Sequence, residues 1–108
     1  MNTKQNMKTI YIAGKITGED TNECWNKFMY YYKDVVYEKE KSEDVDIIIP
    51  QFVCYDDDTW FEAMEKCMEV VFAADKLYFL PDWKESKGAT CEYYVAKALG
   101  KEIEFIEE

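Results

Sequence analysis

Histidine is absent from this chain of 108 residues, and basic residues are scarce. Without histidine the commonest general base and metal ligand is missing, so acid–base chemistry has to rest on carboxylates, tyrosine, lysine or cysteine. The 13 basic residues stand against 23 acidic ones, for a formal net charge of −10. This charge argues against nucleic acid or an anionic membrane as a partner, because both need a basic face. A small anionic ligand is still compatible, since a helix N-terminus can bind one.

The chain also lacks the usual signatures of metal and cofactor sites. Its four cysteines are scattered and include no C-x-x-C pair, which argues against zinc. The run Asp56-Asp57-Asp58 lacks the alternating spacing of a calcium loop. The segment Gly14–Gly18 has neither the dinucleotide fingerprint nor the Walker A lysine-threonine pair, so NAD and P-loop ATP sites are excluded. We therefore predict no metal and no cofactor.

Long apolar runs are absent as well. No run approaches 18 residues, and the N-terminal residues 1–8 are polar, so neither a membrane span nor a signal peptide is expected. We expect a cytoplasmic protein with free thiols. Aromatic residues make up 17% of the chain and supply large core side chains, so we expect one domain over residues 1–108.

Four apolar runs, 9–13, 45–49, 76–80 and 102–106, predict strands that alternate with three helical patterns. This order predicts a three-layer, Rossmann-like (flavodoxin-like) α/β fold. The sheet is expected to be open and mostly parallel, with four to five strands in the order 2-1-3-4 and helices on both faces.

Two stripes of apolar residues at helical spacing predict helices that pack on this sheet. They are Trp25, Phe28, Met29, Tyr32 and Val36 in the first helix, and Trp60, Phe61, Met64, Met68, Val71 and Phe72 in the second. The charged residues 38–44 predict a solvated loop. Asp20 or Thr21 is expected to cap the first helix and Asp58 the second. A last helix over about 89–99 is expected to end at Gly100.

The loops after the first and third strands are expected to lie side by side at the carboxyl edge of the sheet, where open α/β folds bind ligands. Ser86 and Gly88 stand at a helix start, where backbone N–H groups are free to hold a phosphate, and Glu92 lies about one turn further on. Glu92 is a candidate nucleophile or general base toward an anomeric carbon. A simpler interpretation also fits: Ser86 only caps the helix, and Glu92 is only a carboxylate near the helix start that the helix dipole stabilises.

Three segments carry a resemblance that favours the first interpretation. They are Tyr11-Ile12-Ala13-Gly14-Lys15-Ile16-Thr17-Gly18, Ala74-Asp75-Lys76-Leu77-Tyr78, and Ser86-Lys87-Gly88-Ala89-Thr90-Cys91-Glu92-x-x-x-Ala96. The sequence resembles the nucleoside 2-deoxyribosyltransferase superfamily, and within it a small bacterial and phage domain family of unknown function. It is also similar to the 2′-deoxynucleoside 5′-monophosphate N-glycosidases.

The resemblance implies roles by position. Glu92 corresponds to the glutamate that attacks the anomeric carbon, and Tyr11 to the tyrosine beside it, so these two are the predicted catalytic residues. Ser86 corresponds to a serine that holds a 5′-phosphate, and Asp75 to a structural aspartate. The predicted substrate-binding residues are Gly14, Lys15, Ile16, Thr17, Asp82, Ser86, Gly88 and Ala89.

One position departs from the superfamily. Cys67 stands where relatives often carry an aspartate that contacts the sugar or helps to protonate the base. Glu65 and Glu69 are each two residues away and lie on other faces of the helix. Either another acid, Asp58 or Asp82, takes that role, or the chain binds nucleotides without catalysing a reaction on them.

Three functions therefore follow as hypotheses. The first is an N-glycosidase or deoxyribosyltransferase that acts on a (deoxy)nucleoside 5′-monophosphate. The second is a module that binds a nucleotide or nucleotide-derived signal without catalysis. The third is an acidic interaction protein, such as a phage-encoded inhibitor. The resemblance further implies a homo-oligomer with a small-molecule nucleotide as its ligand.

Overall fold

Four short strands form one parallel sheet in the computed structural model of the chain, which describes residues 7–107. The strands are β1 (Lys8–Ala13), β2 (Val45–Ile48), β3 (Lys76–Phe79) and β4 (Glu102–Phe105). Their order is β2-β1-β3-β4, and every neighbouring pair is parallel. The predicted α/β fold and strand order are confirmed.

Helices cover both faces of this sheet, and each connects two strands. They are α1 (Thr21–Tyr30), which continues as a π-helix (Tyr31–Tyr37) and a last turn α2 (Glu38–Glu40), then α3 (Trp60–Ala73) and α4 (Lys87–Ala98). Two 3₁₀ turns, Pro50–Phe52 and Trp83–Glu85, lie in the connections. Within residues 7–107, no helix has the length and apolar character to cross a membrane.

Side chains alternate between the two faces of the central strand β1, as strand geometry requires. Ile10 and Ile12 pack with Phe28 and Val36 under the α1 side of the sheet. Tyr11 joins the opposite cluster, which is built from α3 and α4. The side chain of Tyr11 therefore points to the face on which the candidate site lies.

The predicted apolar stripes are broader than the faces that the helices bury. Phe28 and Val71 are fully buried, but Trp25, Phe61 and Phe72 are 42%, 74% and 59% exposed. At about 100° per residue, Phe61 and Phe72 lie roughly 100–120° around α3 from Trp60, at the edge of the stripe. Their assignment to the core was wrong, and so was that of Trp25.

The predicted solvated loop at 38–44 was also wrong in its first part, because helical structure continues to Glu40. The π-helix holds its turns with i→i+5 hydrogen bonds, so the side chains after it are rotated relative to an α-helix. As a result Glu40 is buried, with 6% of its surface exposed.

Glu40 belongs to a polar network of Lys8, Glu40, Lys76, Tyr78 and Glu104, which we call the amino-end network because β1, β3 and β4 begin there. Lys76 Nζ donates to Glu40 Oε2 at 2.7 Å and to Glu104 Oε1 at 3.1 Å, and the Tyr78 hydroxyl also donates to Glu40. Burial alone would raise the pKa of Glu40, but hydrogen bonds from Lys76, Tyr78 and Lys8 outweigh it and lower the pKa to about 2. The network is therefore charged at neutral pH.

Helix caps follow the predicted chemistry with one exception. Asp20 caps α1 and Ser86 caps α4 through side-chain oxygens that accept from the backbone. For α3, however, the cap is Thr59, which forms a capping box with Glu62. Asp58 is not the cap, because its carboxylate already accepts from Tyr55 N and Lys66 Nζ.

An aromatic cluster joins β3 and β4 to α4. Trp83 stacks on Phe105 with ring centroids 5.5 Å apart and lies 4.8 Å from Tyr93. Phe79 contacts all three rings. This contact fixes the 3₁₀ turn from which α4 departs.

Candidate functional site

A cavity of about 590 Å³ opens at the carboxyl edge of the sheet, between the loop after β1, the segment before α3, and α4. Eight of the ten predicted site residues line it: Tyr11, Gly14, Ile16, Thr17, Ser86, Gly88, Ala89 and Glu92. The segment around Asp58 forms a further wall. These residues, distant in sequence, converge because parallel strands all end at one edge.

Glu92 and Tyr11 meet in the wall of this cavity. The Tyr11 hydroxyl donates to Glu92 Oε2 at 2.9 Å, and both residues are almost fully buried. Burial raises the pKa of Glu92 to about 7, although the hydrogen bond from Tyr11 opposes the shift. Burial, followed by the nearby Glu92 charge, also raises the pKa of Tyr11. Tyr11 thus stays a neutral donor, and Glu92 exchanges its proton near neutral pH.

The first turn of α4 lies in the same cavity. Ser86 Oγ accepts from Ala89 N at 3.0 Å, so the Ala89 N–H is already used by the cap. The amides of Lys87 and Gly88 precede the first intrahelical bond and have no carbonyl partner within the helix. A Cβ on Gly88 would lie 3.0 Å from Met64 Sδ, so α4 begins very close to α3. Ser86 and Glu92 are six residues apart, which corresponds to about 9 Å along the helix axis.

The loop after β1 is held in place by Asp82, which does not line the cavity. Asp82 accepts from Lys15 N at 3.0 Å and from Lys27 Nζ at 2.7 Å. Lys15 also lies outside the lining, and its Nζ is 4.0 Å from Glu19 and Glu85. Gly14 is required by close packing, since a Cβ there would lie 2.7 Å from Leu80 Cδ1. Asp82 and Lys15 thus shape the loop that presents Gly14, Ile16 and Thr17.

Several lining residues escaped the sequence analysis. Trp25 and Trp60 were assigned to core stripes and Tyr55 to no predicted element, yet all three line the cavity. Gln51 lines it too: Nε2 donates to Cys24 Sγ at 3.7 Å, while Oε1 is buried without a hydrogen-bond partner among residues 7–107. Helical periodicity reports which residues share a face, but not whether that face meets the sheet or the cavity.

Cys67, the departure from the superfamily, lies on α3 in the wall of the cavity. It is buried next to Tyr11 and has its Sγ 3.5 Å from Cys54 Sγ. Burial raises the pKa of the Cys67 thiol far above its ordinary value, and the nearby Glu92 charge adds to the shift. The residue is therefore a neutral thiol and cannot replace an ionised carboxylate.

Asp58 and Asp82 were the two acids named as replacements for the missing aspartate. Neither is arranged to donate a proton to a leaving base beside Glu92. Asp58 lines the cavity, but hydrogen bonds from Lys66 and from Tyr55 N lower its pKa and keep it ionised. Asp82 is bound to Lys15 N and Lys27 instead. Asp75 bonds Thr9 N at 2.8 Å across the sheet, the structural role that the resemblance implied. Among the residues described, no group of three acidic or sulfur side chains is placed to hold a metal ion.

Comparison with known proteins agrees with this fold. A family model described as "Domain of unknown function (DUF4406)" matches residues 8–105. Among solved structures, the chain is similar to a 2-desoxiribosyltransferase from Leishmania mexicana, with a TM-score of 0.61 and 26% sequence identity. The match covers 92% of this chain and 63% of the Leishmania chain. No curated protein sequence matches significantly.

Proposed function

The chain belongs to the DUF4406 family, and we propose that it breaks the N-glycosidic bond of a (deoxy)nucleoside 5′-monophosphate, passing the sugar to water or to a second base. The observation that carries the proposal is the buried Tyr11–Glu92 pair, which shares a cavity with the first turn of α4. The likeness to a 2-desoxiribosyltransferase supports a nucleoside-processing fold.

In this proposal Glu92 is the nucleophile. Its Oε2 accepts from Tyr11, which leaves Oε1 to attack C1′ of the sugar. The C1′–N bond breaks, its electron pair goes to the base, and the base takes a proton from solvent. Water or a nitrogen of a second base then attacks C1′ of the glycosyl ester, the C1′–O bond to Glu92 breaks, and the carboxylate is restored. The proton that the water or the nitrogen loses returns to solvent. Tyr11 orients the carboxylate and remains protonated throughout.

The 5′-phosphate is assigned to the start of α4. The amides of Lys87 and Gly88 and the hydroxyl of Ser86 are donors there, and the helix dipole favours an anion. A ligand that reaches both Ser86 and Glu92 must be extended, with an anionic end and a sugar. The base then lies toward Trp25, Trp60 and Gln51, where aromatic rings offer stacking surfaces. Gln51 Oε1 offers an acceptor that no residue of the described range 7–107 occupies.

The direct test is whether the protein releases free base from each common nucleoside and deoxynucleoside 5′-monophosphate. Chromatography measures the released base. A second base added in excess distinguishes transfer from hydrolysis, because only transfer yields a new nucleotide. Complete inertness toward every monophosphate, with and without an acceptor base, would contradict the enzymatic proposal.

Ser86 provides the test of phosphate recognition. We expect Ser86→Gly to raise KM for a nucleoside 5′-monophosphate by about tenfold, the equivalent of one lost hydrogen bond to a charged group. The KM for the matching nucleoside, which has no phosphate, is expected to stay unchanged. Steady-state kinetics on the two substrates give the comparison.

Glycine is the preferred replacement because it keeps most of the helix-capping stability, whereas Ser86→Ala costs about 1 kcal/mol as a lost cap. Thr90→Val is the matched control, since the Thr90 hydroxyl donates to Ser86 O and is not among the lining residues. Equal losses on nucleotide and nucleoside would assign Ser86 to helix capping alone.

A second candidate function is a binding module, and Cys67 is the observation that favours it. A neutral buried thiol stands where relatives often have a carboxylate, and Asp58 is held ionised. This version predicts a rise in Tm with a nucleoside 5′-monophosphate and no base release. The enzymatic candidate predicts both a rise in Tm and base release. Thermal shift and base release measured on one sample therefore separate the two candidates.

A further inference from the structure

Two free thiols approach each other in the wall of the cavity. Cys54 lies between the 3₁₀ turn Pro50–Phe52 and α3, and Cys67 lies on α3 itself. Their sulfur atoms are 3.5 Å apart, although 13 residues separate them in sequence. The approach is held by the fold, because Cys54 Sγ also donates to Ala63 O one turn before Cys67.

The proposed glycosidic chemistry uses neither thiol. We propose that Cys54 and Cys67 form a modification site, which a small-molecule disulfide of the glutathione class oxidises to an internal disulfide. A disulfide requires a sulfur–sulfur distance of about 2.05 Å. The thiols must therefore close by about 1.5 Å, a movement that the irregular segment carrying Cys54 can absorb more readily than α3.

The order of steps follows from exposure. Cys54 is partly exposed and Cys67 is buried, so Cys54 attacks the oxidised glutathione and releases one reduced glutathione. Cys67 then attacks the Cys54 sulfur of the mixed disulfide, and the second glutathione leaves with the proton. Two protein thiols lose two electrons and two protons, and one glutathione disulfide becomes two thiols.

The other two cysteines have surroundings of their own and are not paired with these two thiols. Cys24 is buried, with its thiol against Lys15 O and Gln51 Nε2. Cys91 is exposed on α4 and is not among the lining residues. Burial raises the pKa of both the Cys54 and the Cys67 thiols, so both steps are expected to be slow at neutral pH and faster in alkaline buffer.

Oxidation is expected to alter the cavity, a consequence that rests on the proposed function. The segment that would move also carries Tyr55, Asp56 and Asp58, all of which line the cavity. Pulling it toward α3 narrows the space beside Glu92, and a displacement of about 1 Å in a binding site is enough to cost roughly tenfold or more.

The test starts from the full chain carrying Cys91→Ser, which removes the exposed thiol. Reduced protein is treated with oxidised glutathione at alkaline pH, and intact mass and non-reducing peptide maps are recorded. We expect the loss of two hydrogen masses, no retained glutathione, and one linked peptide pair that contains residues 54 and 67. Cys67→Ser is expected to retain glutathione on Cys54, and Cys54→Ser to stay unreacted.

Cys24→Ser is the matched control and should form the same disulfide. A stable glutathione adduct on Cys54 in the presence of Cys67, a link through Cys24, or no reaction in native protein would each overturn the modification site. Nucleotide affinity is then measured before and after oxidation, and a tenfold loss that dithiothreitol reverses is expected. Reduced protein that binds no nucleotide would count against the proposed function alone, since the mass result does not depend on it.

Discussion

Glu92→Gln is expected to lower base release from a nucleoside 5′-monophosphate by at least about 100-fold and, at the same time, to stabilise the folded protein in alkaline buffer. The amide keeps the size of the carboxyl group and can still accept from Tyr11, but it cannot attack C1′. A purely structural glutamate would share the gain in stability, which follows from its burial, but its replacement would not lower base release. The two effects are measured separately, by chromatography of released base and by denaturant unfolding.

The gain in stability follows from the pKa of Glu92. Its folded value of about 7 lies above its ordinary value of 4.5, because burial disfavours the charged form. The stability of the folded protein is therefore unaffected by Glu92 burial below pH 4.5, where the carboxyl is protonated. It falls as the pH rises through 7 and the buried carboxyl ionises. At about 1.4 kcal/mol per pKa unit, ionisation costs on the order of 3 kcal/mol in the wild type and nothing in the glutamine variant.

The measurable quantity is the difference in unfolding free energy between Glu92→Gln and wild type as a function of pH. It should be smallest below pH 4.5, grow through pH 7 and level off above it. Glu69→Gln makes the same chemical change at an exposed position of α3 and should show no such rise. A pH-independent difference for Glu92→Gln would contradict the raised pKa, and full activity would contradict its role as nucleophile.

Lys76→Met is expected to destabilise the fold by about 3–5 kcal/mol, because it leaves the buried carboxylate of Glu40 without its main partner. Methionine matches the length of the aliphatic stem, so the loss reflects the charge rather than a cavity. Lys39→Met is the matched control: Lys39 contacts Glu104 from an exposed position and should cost no more than about 1 kcal/mol.

Unfolding in urea at neutral pH gives the comparison, and the thermal shift with a nucleoside 5′-monophosphate should persist in Lys76→Met. Equal losses of unfolding free energy in Lys76→Met and Lys39→Met would show that the amino-end network adds little to stability.

The amino-end network also predicts that the fold is sensitive to acid. The pKa of Glu40 is lowered from 4.5 to about 2, so its stabilisation is present above pH 4.5 and disappears as the pH falls toward 2.

The sheet and most of the cavity were predictable because both depend on local patterns. Short apolar runs separated by helical stripes specify parallel strands, and parallel strands bring their carboxyl ends together. Tyr11, Ser86 and Glu92 converge for that reason. The cap of α3 was misassigned because Thr59 and Asp58 have similar capping preferences, and only the fold shows that Lys66 and Tyr55 N already occupy Asp58.

Two features depend on information that single-residue patterns do not carry. A π-helix leaves no clear periodicity in a charged, tyrosine-rich stretch, so the burial of Glu40 was not foreseeable. The approach of Cys54 to Cys67 depends on how an irregular segment folds back on α3. Likewise, Trp25 fits a core stripe by spacing, and only its position beside the segment at Gln51 shows that it faces the cavity.

The placement of the three tryptophans gives the protein its own optical probes. Trp25 and Trp60 line the cavity, whereas Trp83 stacks on Phe105 in the aromatic cluster beyond it. Their fluorescence therefore divides between two regions of the molecule. In the variant Trp83→Phe, the emission of the two remaining tryptophans reports occupancy of the cavity. In the double variant Trp25→Phe and Trp60→Phe, the emission of Trp83 reports the packing of β4. Ligand titration and unfolding can thus be followed in the same chain without an added label.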